Sequence, residues 1–277
     1  VLDDVQRRRV ILHYHLMKNA GTTITAVLER EFGEGYRDVH RATEGAIFAP
    51  EVRAVVDSVP GLRALSSHHF RFPGPRDDSQ VMFFDCCPLR HPIDRLVSLY
   101  TFFRHSPSES SPGNLAGSSD VRTFLEMLME RFPNYAYNVQ TGFLVNGGRF
   151  RGLSAIDLDD AVAVVRRSTL PIVVHRLDES LTLAEYFLGP ALPGLQLHFT
   201  PQNVARPLHG DLASREAALR AELGPSYERL ALFNAYDLQL VAAADDEIDQ
   251  RIAVVPDFAR RLADFRARCR AVAAPSA

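Results

Sequence analysis

Residues 10–33, VILHYHLMKNAGTTITAVLEREFG, change periodicity halfway, and that change restricts the fold more than any other feature of the 277-residue chain. VILHYHL is a compact apolar run with β-branched and aromatic residues, the pattern of a buried strand. After it, Ile24, Val27, Leu28 and Phe32 recur at three- and four-residue steps, the spacing of one helical face. Thr22 or Thr23 is placed to cap this helix and Gly33 to stop it. A buried strand that turns at once into a helix is the unit of a parallel α/β sheet. Such a turn aims backbone N–H groups and the positive end of the helix dipole at one point, which favours a bound phosphate or sulfate.

Lys18 lies in this turn and is the only lysine among 31 basic side chains. One lysine kept among arginines points to a place where a compact charge with rotatable donors fits and a planar guanidinium does not. Gly21 lets the backbone approach closely, and the hydroxyls of Thr22 and Thr23 add donors, so Lys18, Asn19, Ala20, Gly21, Thr22 and Thr23 form a candidate anion loop. The nucleotide triphosphatase pattern places its lysine after the last glycine; here Lys18 precedes Gly21.

VMFFDCCPLRHPIDRLVSLYTFF, residues 81–103, repeats the arrangement. A second apolar strand leads to a loop containing Arg90, then to a helix with Pro92 in its first turn and Ile93, Leu96, Val97 and Tyr100 on its apolar face. The Arg90 fork suits bidentate capture of a phosphate, and Ser98 falls off the apolar stripe with a hydroxyl to donate. Arg95 reads as a brace for this helix, through an Asp or a backbone carbonyl.

HLMKNAGTT at 15–23 resembles the HIPKTAGTS-type segment of sulfotransferases related to the heparan sulfate 2-O-sulfotransferase family, and the second segment is similar to that family's R-[DH]-P-x-x-R-x-x-S-x-Y pattern. The resemblance implies that the first loop grips the 5′-phosphosulfate of 3′-phosphoadenosine 5′-phosphosulfate (PAPS) and that Arg90 and Ser98 hold its 3′-phosphate; no metal is expected, since no spaced Cys/His set suggests one. LSSHHFRF at 65–72 resembles the segment carrying the family's catalytic histidine. His69 aligns with it, and the adjacent His68 is the alternative base, with Lys18 supplying charge at the reacting group. His15 reads as a strand residue bracing the loop. NVQTGFL at 138–144 places Gln140 and Thr141 on the nucleotide side, and QNVARP at 202–207 makes Arg206 a further cofactor contact. Where relatives have Glu before the Arg of the ERFDESL-like stretch, this chain has His175.

The expected fold is a single P-loop-like α/β domain over 1–277, in three layers, with a central mainly parallel sheet flanked by helices. Strands are expected at 10–16, 64–70, 81–87 and 170–175, helices from Leu212 onward, a Ser/Pro/Gly-rich loop at 105–120 and a flexible tail at 267–277. Cys86 and Cys87, adjacent on a strand, point to opposite faces, and Cys269 stands alone, so no disulfide framework follows. With no apolar stretch of about eighteen residues and no signal peptide, the chain reads as reduced and cytoplasmic, with a bacterial composition. A net charge of −3, with no long basic run beyond Arg7–Arg9, argues against nucleic acid as partner and favours a small-molecule or sugar acceptor with a free hydroxyl. The resulting expectation is sulfuryl transfer from PAPS to that hydroxyl. Competing readings are a nucleotide-dependent kinase and a non-catalytic PAPS-binding module.

Overall fold

The computed structural model describes residues 7–40, 45–105, 111–147, 151–167, 170–200 and 212–273. Five strands, β1 (Arg8–Tyr14), β2 (Tyr36–Asp38), β3 (Ala64–Ser67), β4 (Val81–Leu89) and β5 (Leu170–Val173), form one sheet in the order β2-β3-β1-β4-β5. Every pairing is parallel, as strand–helix alternation requires. The described helices are α1 (Gly21–Phe32), α2 (Ala49–Ser58), α3 (Pro92–His105), α4 (Ser111–Ser118), α5 (Val121–Arg131), α6 (Pro133–Ala136), α7 (Val139–Asn146), α8 (Ala155–Arg167), α9 (Leu177–Leu188), α10 (Leu212–Leu223), α11 (Pro225–Phe233), α12 (Ala235–Val254) and α13 (Phe258–Ala273).

The two faces of the sheet follow from the two-residue alternation of a strand. Val10, Leu12, Phe83 and Leu89 face the layer of α2, α7, α8 and α12. Ile11, Phe84, Cys86 and Ile172 face α1, α9 and α13. Cys86 and the half-buried Cys87 thus lie on opposite faces, as adjacent strand residues must. A third cluster, built by α3, α5, α10 and α11 around the fully buried Phe124, forms a helical lobe beyond the sheet. Burying one such aromatic or aliphatic side chain contributes about 1.5–3 kcal/mol.

Several boundaries differ from the expectations, each for a local reason. β1 spans Arg8–Tyr14 rather than 10–16, because the Leu16 N–H donates to Tyr14 O at 2.8 Å and turns the chain. β3 stops at Ser67 rather than residue 70, because the Ser67 hydroxyl takes the His69 N–H at 2.9 Å. β4 runs on to Leu89, and β5 gives way at Val174–Arg176 to a 3-10 turn. The three-residue β2 was not anticipated, being too short to show alternation. Inside the expected loop at 105–120, α4 forms because Leu115 and the fully buried Ala116 pack into the helical lobe, and that burial overrides a turn-prone composition. The expected tail is helical as far as Ala273, and Cys269 Sγ accepts the Phe199 N–H at 3.3 Å. No described helix is long and apolar enough to cross a membrane.

Candidate functional site

β1 and β4 are parallel neighbours, with His13 opposite Cys86, so the loops that follow them leave the same edge of the sheet side by side. The chain after β1 goes on to β2 and β3 on one side, and after β4 to β5 on the other. The crevice at such a switch point is where open α/β sheets bind ligands. Here it brings together two loops 72 residues apart: Arg90 Nη1 donates to Lys18 O at 2.8 Å.

The first loop is wound tightly, with Lys18 and Ala20 both left-handed at φ 68° and 60°. Left-handed non-glycine residues are strained by about 1 kcal/mol or more, and such strain gathers at functional sites. The turn starts α1 early. Ala20 is its N-cap, rather than the anticipated Thr22 or Thr23, which lie inside the first turn, one exposed and one buried. No side chain caps the helix, and its first turn carries no acid. Gly21 serves a purpose the sequence did not suggest: a Cβ there would meet His15 Cδ2 at 1.8 Å. Its role is to admit the imidazole of His15, which thereby braces the loop. Asn19 is fully buried, and its Nδ2 donates to Pro88 O at 2.7 Å and to Gln140 Oε1 at 2.8 Å, so its side chain holds the loop from behind. Lys18 is half-buried, with Nζ 4.8 Å from the centre of the Phe102 ring. Burial lowers its pKa and the nearby Arg90 lowers it further.

In the second loop Arg90 Nε donates to Asp94 Oδ2 at 2.8 Å, and Arg215 Nη2 reaches the same oxygen at 3.0 Å. Burial opposes ionisation of Asp94, but the two guanidinium groups outweigh it and hold the carboxyl below its usual pKa. Arg90 and Arg215 thus share one carboxylate, and Lys18 lies near Arg90, so cations outnumber carboxylates among these groups. Arg215 escaped the sequence reading because nothing in LASREAALRAEL marks it. Ser98 is half-buried on α3. Arg95 braces that helix as expected: it is buried, donates through Nη2 to Tyr135 O at 2.7 Å, and has its pKa lowered by burial to about 10.

Gln140 and Thr141, expected on the nucleotide side, are fully buried with their side chains spent on protein partners. The Gln140 carboxamide accepts from Asn19 Nδ2 and the Arg90 N–H, and donates to Arg90 O, each at 2.8 Å. Asp237, also fully buried, accepts from the Thr141 N–H and hydroxyl at 2.8 Å and from the Gln140 N–H at 3.1 Å. These residues position the two loops and are shielded from a ligand. Asp237, on α12, was not singled out from the sequence.

The third loop at this edge follows β3. His68 stacks on His15 with ring centres 3.7 Å apart, and His15 stacks on the buried His13 at 5.3 Å. Burial lowers the pKa of all three, that of His15 to about 3 with help from His68 and His40. His69 turns elsewhere: its Nδ1–H donates to the Gly45 carbonyl at 2.7 Å, which leaves Nε2 of the neutral ring with the lone pair. His175 pairs with Asp245, Nε2 to Oδ1 at 3.1 Å. Arg206 lies outside the described residues.

No protein-family model matches the chain, and no solved structure matches it. The chain is similar to an uncharacterized protein of Archaeoglobus fulgidus, 23% identical over 242 residues, an alignment that spans 84% of this chain and 94% of that protein.

Proposed function

We propose that the chain is a PAPS-dependent sulfotransferase that moves the sulfuryl group to a hydroxyl of a small-molecule or sugar acceptor. The observation that carries this reading is the placement of Lys18 and Arg90, two desolvated cations, on touching loops beside the uncapped start of α1. An excess of positive charge in a part-buried cleft favours a ligand with several negative charges. PAPS fits: it supplies an activated sulfuryl group on a 5′-phosphate leaving group, and its 3′-phosphate needs a second cationic site. The first loop, with Lys18 and the N–H groups opening α1, takes the 5′ side; Arg90 and Ser98 take the 3′-phosphate, with Arg215 offsetting the charge of Asp94.

His69 acts as the base. Its anchored Nδ1 orients the ring and presents the Nε2 lone pair, which removes the acceptor proton as the oxygen attacks. His68, stacked on His15, supports the first loop instead. Lys18, half-buried with a compact rotatable ammonium, neutralises the charge growing on the leaving phosphate. A metal-dependent kinase would place a metal-binding hydroxyl directly after the lysine, whereas Asn19 occupies that position with a buried side chain.

The test is thermal stabilisation by 3′-phosphoadenosine 5′-phosphate (PAP) against ATP with magnesium, followed by a search for sulfated product with PAPS. Preferential stabilisation by PAP, removed by Arg90→Ala, is expected. Equal stabilisation by both nucleotides would overturn the cofactor assignment, and PAP binding with no sulfation of any acceptor would leave a binding module.

A further inference from the structure

We propose that Gln140 mechanically couples the two phosphate-binding loops and so makes the site selective for a nucleotide phosphorylated at both its 3′ and 5′ positions. This rests on the PAPS reading and adds a specificity determinant that touches no ligand.

The carboxamide of Gln140 uses its whole hydrogen-bonding capacity. Its oxygen accepts from the side chain of Asn19, next to Lys18, and from the backbone N–H of Arg90. Its nitrogen donates to the carbonyl of Arg90 at 2.8 Å and to Asp237 Oδ2 at 3.3 Å. An amide carries two acceptor sites and two donors, and all four are engaged. The bonds to both the N–H and the C=O of Arg90 fix the peptide units on either side of that residue, and the bond from Asn19 fixes the back of the Lys18 loop. Asp237 in turn pins Gln140 and Thr141 to α12.

One fully buried side chain therefore joins the backbone at Arg90 to the side chain of Asn19, next to Lys18, and no side chain without both a donor and an acceptor can replace it. A rigid link between two subsites changes affinity in a characteristic way. A ligand occupying both gains from their preset spacing, while a ligand occupying one does not. Occupying one loop also orders the other.

The test compares the affinities of PAP, adenosine 5′-monophosphate and adenosine 3′-monophosphate by calorimetry for the intact chain and for Asn19→Ala, which removes the Asn19 bonds to Gln140 and to Pro88 O and leaves the Gln140–Arg90 bonds in place. Wild type is expected to prefer PAP strongly over either monophosphate. Asn19→Ala is expected to lose about tenfold of that preference, within the usual range for coupled sites. Gln140→Ala is expected to lose at least as much. An unchanged preference, or an equal loss for all three ligands, would overturn the coupling and leave these residues a purely structural role. If a variant does not fold, hydrogen exchange in the wild type decides: adenosine 5′-monophosphate is expected to slow exchange of the Arg90 amide, and no change would overturn the coupling. A wild type without preference for PAP would instead overturn the PAPS reading itself.

Discussion

The ring of His15 occupies the volume that any side chain at position 21 would need, with Cδ2 only 1.8 Å from the place of a Cβ on Gly21. Two residues six apart in the chain, one just past the end of β1 and one opening α1, are thus fitted to each other. Gly21→Ala is expected to destabilise the protein by about 1–3 kcal/mol through overpacking. His15→Ala in the same chain should recover part of that loss, because it vacates the contested space. Urea unfolding of the two single variants and the double variant measures this, and additive losses would show that the two positions act independently.

Lys18 sits in a left-handed turn with its ammonium against Phe102. Lys18→Arg keeps the charge but replaces a rotatable tip with a wide planar fork. Melting temperature should stay nearly constant while turnover with PAPS falls by about 10²-fold or more, the usual worth of a group aimed at developing charge. A near-normal rate would show that any cation suffices at this position.

His68 and His69 can be told apart by what each holds. His69→Ala should leave PAP binding nearly unchanged and lower sulfation by ~10²–10⁴-fold. His68→Ala removes the ring stacked on His15, so its effect should appear in PAP affinity and stability more than in turnover. The reverse pattern would move the base to His68.

Asp85 lies in mid-β4 and accepts the Tyr14 hydroxyl at 2.9 Å. Burial raises its pKa from 3.8 to about 6, with Tyr14 opposing the shift. Between these two values the folded state binds more protons than the unfolded state, so the contribution of Asp85 to stability is full below about pH 4 and is lost as pH rises through about 6. Asp85→Asn keeps an acceptor for Tyr14 and removes the titration. It should therefore stabilise the protein at pH 7.5 by about 1–3 kcal/mol and change little at pH 4. Equal effects at both pH values would show that packing, not ionisation, sets the difference.

What the sequence alone determined is what neighbours along the chain determine. The apolar runs of β1 and β4, the helical spacing of Ile24, Val27 and Leu28, the stop at Gly33 and the start at Pro92 are all written within a few residues; the two helix bounds fall where expected, and the strands form there with ends displaced by two residues. The parallel sheet then followed, because a strand feeding directly into a helix has few other ways to bury both. Lys18 and Arg90 stood out for the same local reason, each lying between a strand and a helix. The tertiary structure decided what joins them. Gln140 meets Arg90 across 50 residues and Asn19 across 121; Asp237 meets Thr141 across 96; Arg215 reaches Asp94 across 121. No periodicity records such contacts, since they depend on which helices share a face of the sheet and how deeply each side chain is buried there. For the same reason Gln140, expected as a contact on the nucleotide side, proves in space to be a fully buried link between the two loops.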